Sequence, residues 1–551
     1  MSVFGAGRGP WSYVISGAAF RNYATRFLKD QDGSMTLVGV CAFLLMIVFG
    51  GVGIDMMYAE LKRVKLQNTL DRAVLAAADL EQTLDPAGVV TDYMDKMGLG
   101  DAVTNVTVVQ SHNARRVSVD SSYTTPANFL RALNVENLIA AGAATAAEER
   151  ADVEISLVLD ISGSMGWSGN TKMENLQDAA RDFVDQMLPV EETPGVTSIS
   201  LVPYNANVNV GETLIQHYNV EDFQTYSHCV TFSDADFNNP AIDPTEEQTR
   251  LGHFDRDNYS WDNAPSLDYW CSPDDYSAIM PFSTDASALK NHISGLYADG
   301  NTAIDLGMKW GVALLDPSAQ PVVSALISDG DVHADVAERP VAYNDNTTAK
   351  VIVLMTDGRN TTQYDLRDSL KAGYSDVWID DRGTSNPYDD RFSALVDGTG
   401  RANDTYFWVR YEESRWSNRY RNSRDGGSNA RRMTHAEVYN RFGVPGTAYK
   451  FWWTPEDDNW ISRSTYESYF HGEIATVDSD RADSRLSNIC AQARAAGITI
   501  YTIAFEAPSR GETAMQDCAS SPSHFFDVAG LEITDAFNAI ARDITQLKLT
   551  Q

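Results

Sequence analysis

An apolar run near the N-terminus is the strongest hydrophobic pattern in the chain. Residues 35–54 contain no charged side chain, and about 20 helical residues, rising 1.5 Å each, span the roughly 30 Å hydrocarbon core of a membrane. A cleavable signal peptide is the alternative, but its apolar region usually runs for about 7–15 residues before a small-residue cleavage site. We therefore predict a single transmembrane helix over residues 33–56.

Apolar residues continue beyond this run at the spacing of a helix with one buried face. They are Leu66, Leu70, Ala73, Ala77 and Leu80. Residues 103–121 then alternate between apolar and polar positions, which predicts two short strands joined by a polar turn at His112 and Asn113. Residues 57–148 are therefore expected to form a stalk helix and a small α+β unit.

From about residue 150, apolar runs alternate with amphipathic segments. The predicted strands are residues 153–162, 198–208, 350–355, 498–505 and 524–528. The predicted helices are residues 174–188, 286–297, 303–315, 485–496 and a last one ending near 547. This alternation predicts an α/β fold over residues 150–547, with a doubly wound and mostly parallel sheet. Residues 209–280 and 359–480 lack the rhythm, and we interpret them as two long insertions.

The net charge and the positions of the basic residues bear on possible partners and on the orientation in the membrane. The 551 residues carry a formal net charge of −33, which disfavours binding to nucleic acid because phosphates would be repelled. Residues 1–29, in contrast, carry four basic and no acidic side chains, and residues 1–32 are expected to be a cytoplasmic segment. Basic residues flank the predicted span on both sides, so the positive-inside rule alone leaves its orientation open.

Cysteine usage bears on that orientation. Cys41 lies inside the apolar run, and four cysteines lie in the large C-terminal part. An even number there favours an oxidising compartment and hence a body outside the cytoplasm. Among the possible pairings we favour the sequence-local one, with four unpaired buried thiols as the alternative. The expected disulfides join Cys229 to Cys271 and Cys490 to Cys518.

Residues with metal-binding chemistry follow three segments of the predicted sheet. In DISGSM, Asp160, Ser162 and Ser164 alternate directly after a predicted strand. Thr302 precedes a predicted helix, and Asp357 follows another predicted strand. Because the carboxyl ends of parallel strands meet at one edge of a sheet, we expect these side chains to face a common space. Two carboxylates and several hydroxyls form a hard, water-retaining ligand set that suits Mg²⁺ or Mn²⁺.

In this order on this strand pattern, the five residues resemble the metal ion-dependent adhesion site of von Willebrand factor type A domains. The resemblance covers about residues 150–547, apart from the two insertions. It implies direct coordination of the metal by the two serines, and coordination by the threonine and the two aspartates either directly or through water. It also implies one open position for a carboxylate of a protein ligand.

Other acidic motifs are weaker candidates. Asp329 also stands in what we interpret as a strand followed by Asp-Gly, but the strand before Asp357 is longer and more apolar. Asp234, Asp236 and Asn238 begin like a calcium loop, yet Asn239 replaces the required glycine, so we predict a solvated turn. Asp55, just past the apolar run, is predicted to be an interfacial residue, with a partner contact in the membrane as the alternative.

A second resemblance concerns the N-terminus. The segment from DGSMTLVGVCAFLL to RAVLAAADL resembles the membrane segment of TadE/TadG-like proteins, which assemble Flp (tight-adherence) pili in bacteria. Later segments, including LVPYNANVNVG and KVIVLMTDGRNT, resemble TadG members that join this anchor to a type A domain. The resemblance implies a single-pass protein of the bacterial inner membrane whose C-terminal body faces the periplasm.

These observations lead to a hypothesis and two alternatives. We expect a membrane-anchored, metal-dependent component of pilus assembly that binds pilus-assembly or adhesion proteins. No small-molecule substrate or enzymatic activity is predicted, since the sequence contains no H-E-x-x-H, G-x-S-x-G or phosphate-loop motif. A surface adhesin unrelated to pili is the first alternative. A metal-dependent hydrolase is the second, and it would require a general base or nucleophile that the sequence does not identify.

Overall fold

The computed structural model divides the chain into two compact units, Met1–Glu148 and Glu149–Gln551. The structure describes residues 34–79, 82, 84–110, 114–149, 152–167, 169, 171–189, 195–259, 265–345, 347–396, 404–412 and 419–550. The predicted cytoplasmic segment, residues 1–32, and the predicted turn at His112 and Asn113 lie outside the described residues.

The first unit is built on one long helix. Helix α1 runs without a break from Ser34 to Ala78 and joins the predicted span and stalk. Its N-terminal part is long and apolar enough to cross a membrane. Its C-terminal part packs against α2 (Pro86–Lys96) and a three-stranded sheet of β1 (Val103–Gln110), β2 (Ala114–Pro126) and β3 (Asn137–Glu149). Four residues of the stripe predicted from helical spacing, Leu66, Leu70, Ala73 and Ala77, are fully buried in this core, and the fifth, Leu80, lies outside the described residues.

The second unit contains a six-stranded sheet in the order β18-β17-β9-β4-β5-β8. These strands are β4 (Asp152–Asp160), β5 (Thr197–Tyr204), β8 (Met280–Ser283), β9 (Thr348–Thr356), β17 (Thr499–Phe505) and β18 (Phe525–Val528). Five strands pair in parallel, and β8 pairs antiparallel with β5 at one edge. Every residue of β5 and β9 is buried, which explains why these strands are continuous apolar runs in the sequence.

Helices cover both faces of this sheet. These helices are α3 (Lys172–Met187), α4 (Ala286–Gly295), α5 (Ile304–Ala313), α6 (Gln320–Asp329), α9 (Ser479–Ala495), α10 (Ser509–Cys518) and α11 (Glu532–Thr550). Alternate residues of β4 enter different cores: Leu157 and Leu159 pack with α3, α4 and α11, whereas Val158 packs with α5, α6 and α9. The predicted mixed α/β class is therefore confirmed.

The two stretches without clear periodicity are folded. The first contains the one-turn helix Glu212–Ile215 and the short strand pair β6 (Val230–Thr231) and β7 (Thr249–Arg250). The second contains an antiparallel sheet in the order β14-β13-β12-β11-β15 and a core rich in aromatic residues. The elements of this second stretch are β10 (Gln363–Leu366), β11 (Tyr374–Asp380), β12 (Arg391–Leu395), β13 (Tyr406–Trp408), β14 (Tyr420–Arg421), β15 (Arg431–Thr434), α7 (His435–Ala448), the one-turn helix Thr454–Asp457, α8 (Arg463–Phe470) and β16 (Glu473–Val477).

Two disulfides tie loops to these elements. Cys229 and Cys271 close a loop within residues 209–280, with a sequence separation of 42 residues. Cys490 on α9 pairs with Cys518 at the end of α10 (Ser509–Cys518). Both bonds follow the sequence-local pairing. Cys41, on the apolar part of α1, is unpaired.

One of the weaker sequence interpretations is wrong, and another gains a structural contact. The residues before Asp329 form helix α6 and not a strand, because Val322, Val323 and Leu326 are buried at helical spacing and Gly330 ends the helix at φ +86°. The predicted solvated turn at Asp234 is a short, largely exposed 3₁₀ helix, Asp234–Asn238, which also contacts helix α9. Its first carboxylate lies 2.7 Å from Arg481 and 2.6 Å from Arg485.

Candidate metal centre

Asp160 occupies the centre of the carboxyl edge of the sheet. It is the last residue of β4, whose neighbours on either side are β5 and β9. The side chain is completely buried. Its carboxylate accepts hydrogen bonds from the Ser162 backbone N–H at 2.8 Å and from Thr356 Oγ1 at 2.6 Å. These two bonds, one from the loop after β4 and one from the end of β9, fix the orientation of the carboxylate.

The loop after β4 brings two serines to Asp357. Ser162 Oγ lies 3.2 Å from Ser164 Oγ, and Ser164 Oγ donates to Asp357 Oδ1 at 2.6 Å. The loop stays close to its neighbour because the Gly163 N–H donates to the Gly300 carbonyl at 2.9 Å. Side chains that are separated by almost 200 residues in the sequence therefore form one polar cluster.

Thr302 reaches the same edge through the backbone of the loop after β9. Its N–H donates to Thr361 Oγ1 at 3.1 Å, and the Thr361 N–H donates to the Thr302 carbonyl at 2.9 Å. A Cβ placed on Gly358 would lie only 3.2 Å from Thr302 Oγ1. Glycine at this position therefore lets the threonine hydroxyl lie directly beside the residue that follows Asp357.

The sequence analysis missed two charged residues at this cluster. Lys172, the first residue of α3, places its Nζ 3.0 Å from Asp357 Oδ2 and 3.7 Å from Glu506 Oε2. Glu506 follows β17 directly, next to the strand that ends before Asp357. One signal for Lys172 was present, since a cation in the first turn of a helix is placed unfavourably against the helix dipole. Glu506 directly follows a predicted parallel strand, and this position indicated a third carboxylate at the same edge of the sheet.

Burial dominates the electrostatics of the cluster. Burial first, and then the nearby Asp357 carboxylate, raise the pKa of Asp160 to about 7, against the opposing effect of the hydrogen bonds from Thr356 and Ser162. Two carboxylates in a dry environment are costly unless a positive charge compensates them. The Lys172 ammonium supplies one such charge, and it reaches Asp357 but is not among the groups that contact Asp160.

The donor set is suited to a small, hard cation. The cluster offers hydroxyl oxygens from Ser162, Ser164 and Thr302 and carboxylate oxygens from Asp160 and Asp357, and such ligands favour Mg²⁺ or Mn²⁺ over softer metals. Within the described ranges, no group of three or more His, Cys, Asp or Glu side chains is arranged to hold a metal. A site at this edge would therefore depend on its hydroxyl ligands as much as on its carboxylates.

Comparison with solved structures finds similar chains that carry adhesive domains. The von Willebrand factor domain of the type V pilus tip protein of Porphyromonas gingivalis is 15% identical and aligns over 73% of this chain and 97% of its own, with a TM-score of 0.31. An adhesive tip pilin of Group B Streptococcus agalactiae is 14% identical over 71% of this chain and 100% of its own, also with a TM-score of 0.31. Proximal thread matrix protein 1 of the mussel byssus, in a structure with a zinc-occupied metal ion-dependent adhesion motif, is 11% identical over 72% of this chain and 46% of its own, with a TM-score of 0.25.

Comparison at the level of sequence identifies the N-terminal part. No curated protein matches this chain. Residues 33–80 match the family model for Flp pilus-assembly TadE/G-like proteins. The match begins just before helix α1 and covers its whole length, including the part that is long and apolar enough to cross a membrane. Residues 33–80 of this chain are therefore similar to the TadE/G-like segment of Flp pilus-assembly proteins.

Proposed function

We propose that the protein is a membrane-anchored component of Flp pilus assembly that binds a protein partner through a divalent cation. The proposed metal ligands are Asp160, Ser162, Ser164, Thr302 and Asp357, on a doubly wound body of the von Willebrand factor type A kind. One observation carries the proposal. The contacts from Ser162 through Ser164 to Asp357, at the carboxyl edge of the sheet, support this choice of ligands.

The surrounding residues prepare the cluster for binding. Thr356 holds the Asp160 carboxylate in one orientation, and Gly358 leaves room for the Thr302 hydroxyl. The Lys172 ammonium neutralises Asp357 until it is displaced. A bound Mg²⁺ would supply a coordination position for a carboxylate of the partner. Recognition would then depend on the metal and on the protein surface that surrounds it.

The proposed location is the bacterial inner membrane, with residues 1–32 in the cytoplasm and the body in the periplasm. The TadE/G-like segment and the apolar part of α1 support membrane anchoring. The two disulfides of the body support an oxidising compartment, since disulfides rarely persist in the cytosol.

The metal site is tested by titrating the full-length protein with Mn²⁺ and following the electron paramagnetic resonance signal of the free ion. We expect one strong site in the wild-type protein and its loss in Asp357→Asn. Asp329→Asn is a matched control, because Asp329 also precedes a glycine but lies on the exposed end of α6. Equal Mn²⁺ binding by both variants would refute the proposed ligand set.

Partner binding is tested separately, by co-purifying the full-length protein with Flp pilus components from the cells that produce it, in Mg²⁺ or in EDTA. We expect a partner to be retained in Mg²⁺ and released in EDTA, and to be lost in Ser162→Ala/Ser164→Ala. If the same partner is held equally in EDTA, the cation has a structural role and the partner binds elsewhere.

A further inference from the structure

A buried carboxylate connects the apolar helix to a loop of the small sheet. Asp55 is the first charged residue after the apolar run, and only 4% of it is exposed. It accepts hydrogen bonds from three consecutive backbone N–H groups, those of Asn128 at 3.2 Å, Phe129 at 2.7 Å and Leu130 at 2.8 Å. Asp55 is thus more than an interfacial residue, because it fixes this loop at the end of the apolar run.

The same loop also contacts the apolar run itself, on the N-terminal side of Asp55. A Cβ placed on Gly51 would lie 2.3 Å from ring atoms of Phe129, so the ring packs directly on the glycine backbone. Gly51 lies one helical turn before Asp55, about 6 Å along the helix axis. If residues 35–54 lie in the hydrocarbon core, the Phe129 ring lies there as well.

The path of the sheet along α1 explains this position. Near the far end of α1, Arg115 at the start of β2 donates to the Asp79 carbonyl. Further along β2, Tyr123 faces Lys62, with the ammonium 5.7 Å from the ring centre. The strand therefore descends along the helix towards the apolar run. The connection between β2 and β3 is therefore the part of the sheet nearest to the apolar run of α1.

The side chains of that connection are apolar and exposed. Phe129, Leu133 and Val135 are 39%, 57% and 39% exposed. Arg131 lies between them and is exposed as well. Exposed apolar side chains gathered at one end of a small unit mark an interaction surface. Arginine among them suits lipid phosphates, because its charged end can reach the headgroups while its stem remains in the apolar layer.

We propose that residues 128–135 insert into the membrane as a second contact beside helix α1, with lipid as the occupant. The inference rests on the proposed membrane span. The inserted loop fixes the rotation of α1 and holds the small sheet against the membrane surface. Lipid is favoured over a protein partner because the Phe129 ring packs at the same membrane depth as Gly51, which lies in the proposed span.

The test uses full-length protein in vesicles of phosphatidylcholine and phosphatidylglycerol, with Cys41→Ser removing the free thiol. Single cysteines at Ile47, Leu133 and Asp92 carry a spin label, and collision with oxygen and with a water-soluble nickel complex reports depth. Ile47 reports on the span, and Asp92, on the exposed face of α2, is the aqueous control. We expect Leu133 to resemble Ile47, with an oxygen-to-nickel collision ratio severalfold above that of Asp92.

Three other results would overturn the inference. An aqueous Leu133 with a lipid-exposed Ile47 refutes the inserted loop while the span stands. An aqueous Ile47 refutes the span and the loop with it. Low collision rates with both reagents at Leu133 show that protein, such as a second copy, covers the loop.

A pair of glycine variants tests the proposed cause. Gly51→Val would displace the Phe129 ring, so the Leu133 label is expected to move towards water while the Ile47 label stays in lipid. Gly53→Val is the matched control, since a Cβ at Gly53 meets nothing within 4 Å. An unchanged Leu133 label in Gly51→Val would show that Phe129 does not set the depth of the loop.

Discussion

At the scale of single residues, Lys172 is the feature that distinguishes this candidate metal centre. Its ammonium lies where a divalent cation would also be attracted, 3.0 Å from Asp357 and 3.7 Å from Glu506. Lys172→Met removes this competitor, so we expect Mn²⁺ affinity to rise roughly tenfold, equivalent to about 1.4 kcal/mol. The variant should also lose roughly 3 kcal/mol of metal-free stability, because the Asp357 carboxylate would remain buried without its charge partner. Metal titration and denaturant unfolding measure the two effects.

A surface lysine provides the control for this prediction. Lys290 pairs with Asp185 on the exposed side of the body, where both side chains are a third or more accessible to solvent. Lys290→Met should change neither quantity by much, because exposed ion pairs contribute about 0–1 kcal/mol. Unchanged or weaker Mn²⁺ binding in Lys172→Met would show that the ammonium does not oppose the metal.

His253 gives a prediction about pH at the same scale. It is 1% exposed, stacks 4.3 Å from the Tyr269 ring, and places Nε2 3.0 Å from the Asn440 side-chain oxygen. Burial lowers the pKa of His253 to about 4, so between pH 6.5 and pH 4 the unfolded chain binds the proton and the folded protein does not. Stability from this residue is therefore present above pH 6.5 and is lost as the pH falls, by at most about 1.4 kcal/mol per pH unit.

Replacing this histidine isolates its contribution from that of the many carboxylates. His253→Gln keeps a group that can bond to Asn440 but cannot take up the proton. We expect the wild-type protein to lose stability relative to the variant as the pH is lowered from 6.5 to 5, as measured by denaturant unfolding. Parallel pH profiles for the two proteins would contradict the prediction.

At the scale of elements, helix α10 limits the space around the metal edge. A Cβ placed on Gly511, in the first turn of α10, would lie 2.0 Å from the carbonyl oxygen of Gly358, the residue after Asp357. Gly511→Ala must therefore move the loop that carries Asp357. We expect a loss of about 1–3 kcal/mol in stability and a severalfold weaker affinity for Mn²⁺. Unfolding and metal titration of the same samples test both effects.

Another helical glycine separates this steric effect from helix propensity. A Cβ on Gly295, at the end of α4, meets nothing within 4 Å. Gly295→Ala should leave metal binding unchanged and alter stability by no more than about 1 kcal/mol, in the favourable direction. If Gly511→Ala behaves in the same way, α10 does not constrain the site.

The elements also show what the sequence could and could not predict. Strands β4, β5, β9 and β17 were recognisable because buried parallel strands are continuous apolar runs. The sheet of the second insertion was not, since strands as short as Tyr420–Arg421 contain too few residues for a period. The helix before Asp329 was misassigned because short apolar runs fit both a strand and a helix.

The candidate site shows the same division. Asp160, Ser162 and Ser164 share one short motif, and their convergence with Asp357 could be predicted from the rule that parallel strands end at one edge. The ion pair between Lys172 and Asp357 spans 185 residues of sequence and depends on the packing of α3 against the sheet. No local pattern encodes such a contact, and only the folded arrangement shows it.

At the scale of the whole molecule, the acidity of the chain and its division into two units make metal-dependent stability a specific test. Any divalent cation will screen a formal charge of −33 to some extent, so a rise in melting temperature alone is ambiguous. The proposed site lies in the unit Glu149–Gln551, which includes Asp160 and Asp357. Saturation to about 100 times Kd stabilises such a unit by about 2.7 kcal/mol, or roughly 3 °C.

We therefore expect calorimetry of the full-length protein to show a Mg²⁺-dependent shift in the transition of the larger unit and none in that of the unit Met1–Glu148, at ionic strength matched with NaCl. Asp357→Asn should abolish the shift and Asp329→Asn should retain it, because only the first carboxylate belongs to the cluster with Ser164. Equal shifts in both transitions, or in both variants, would mean that Mg²⁺ acts by screening the acidic chain and not by occupying the site.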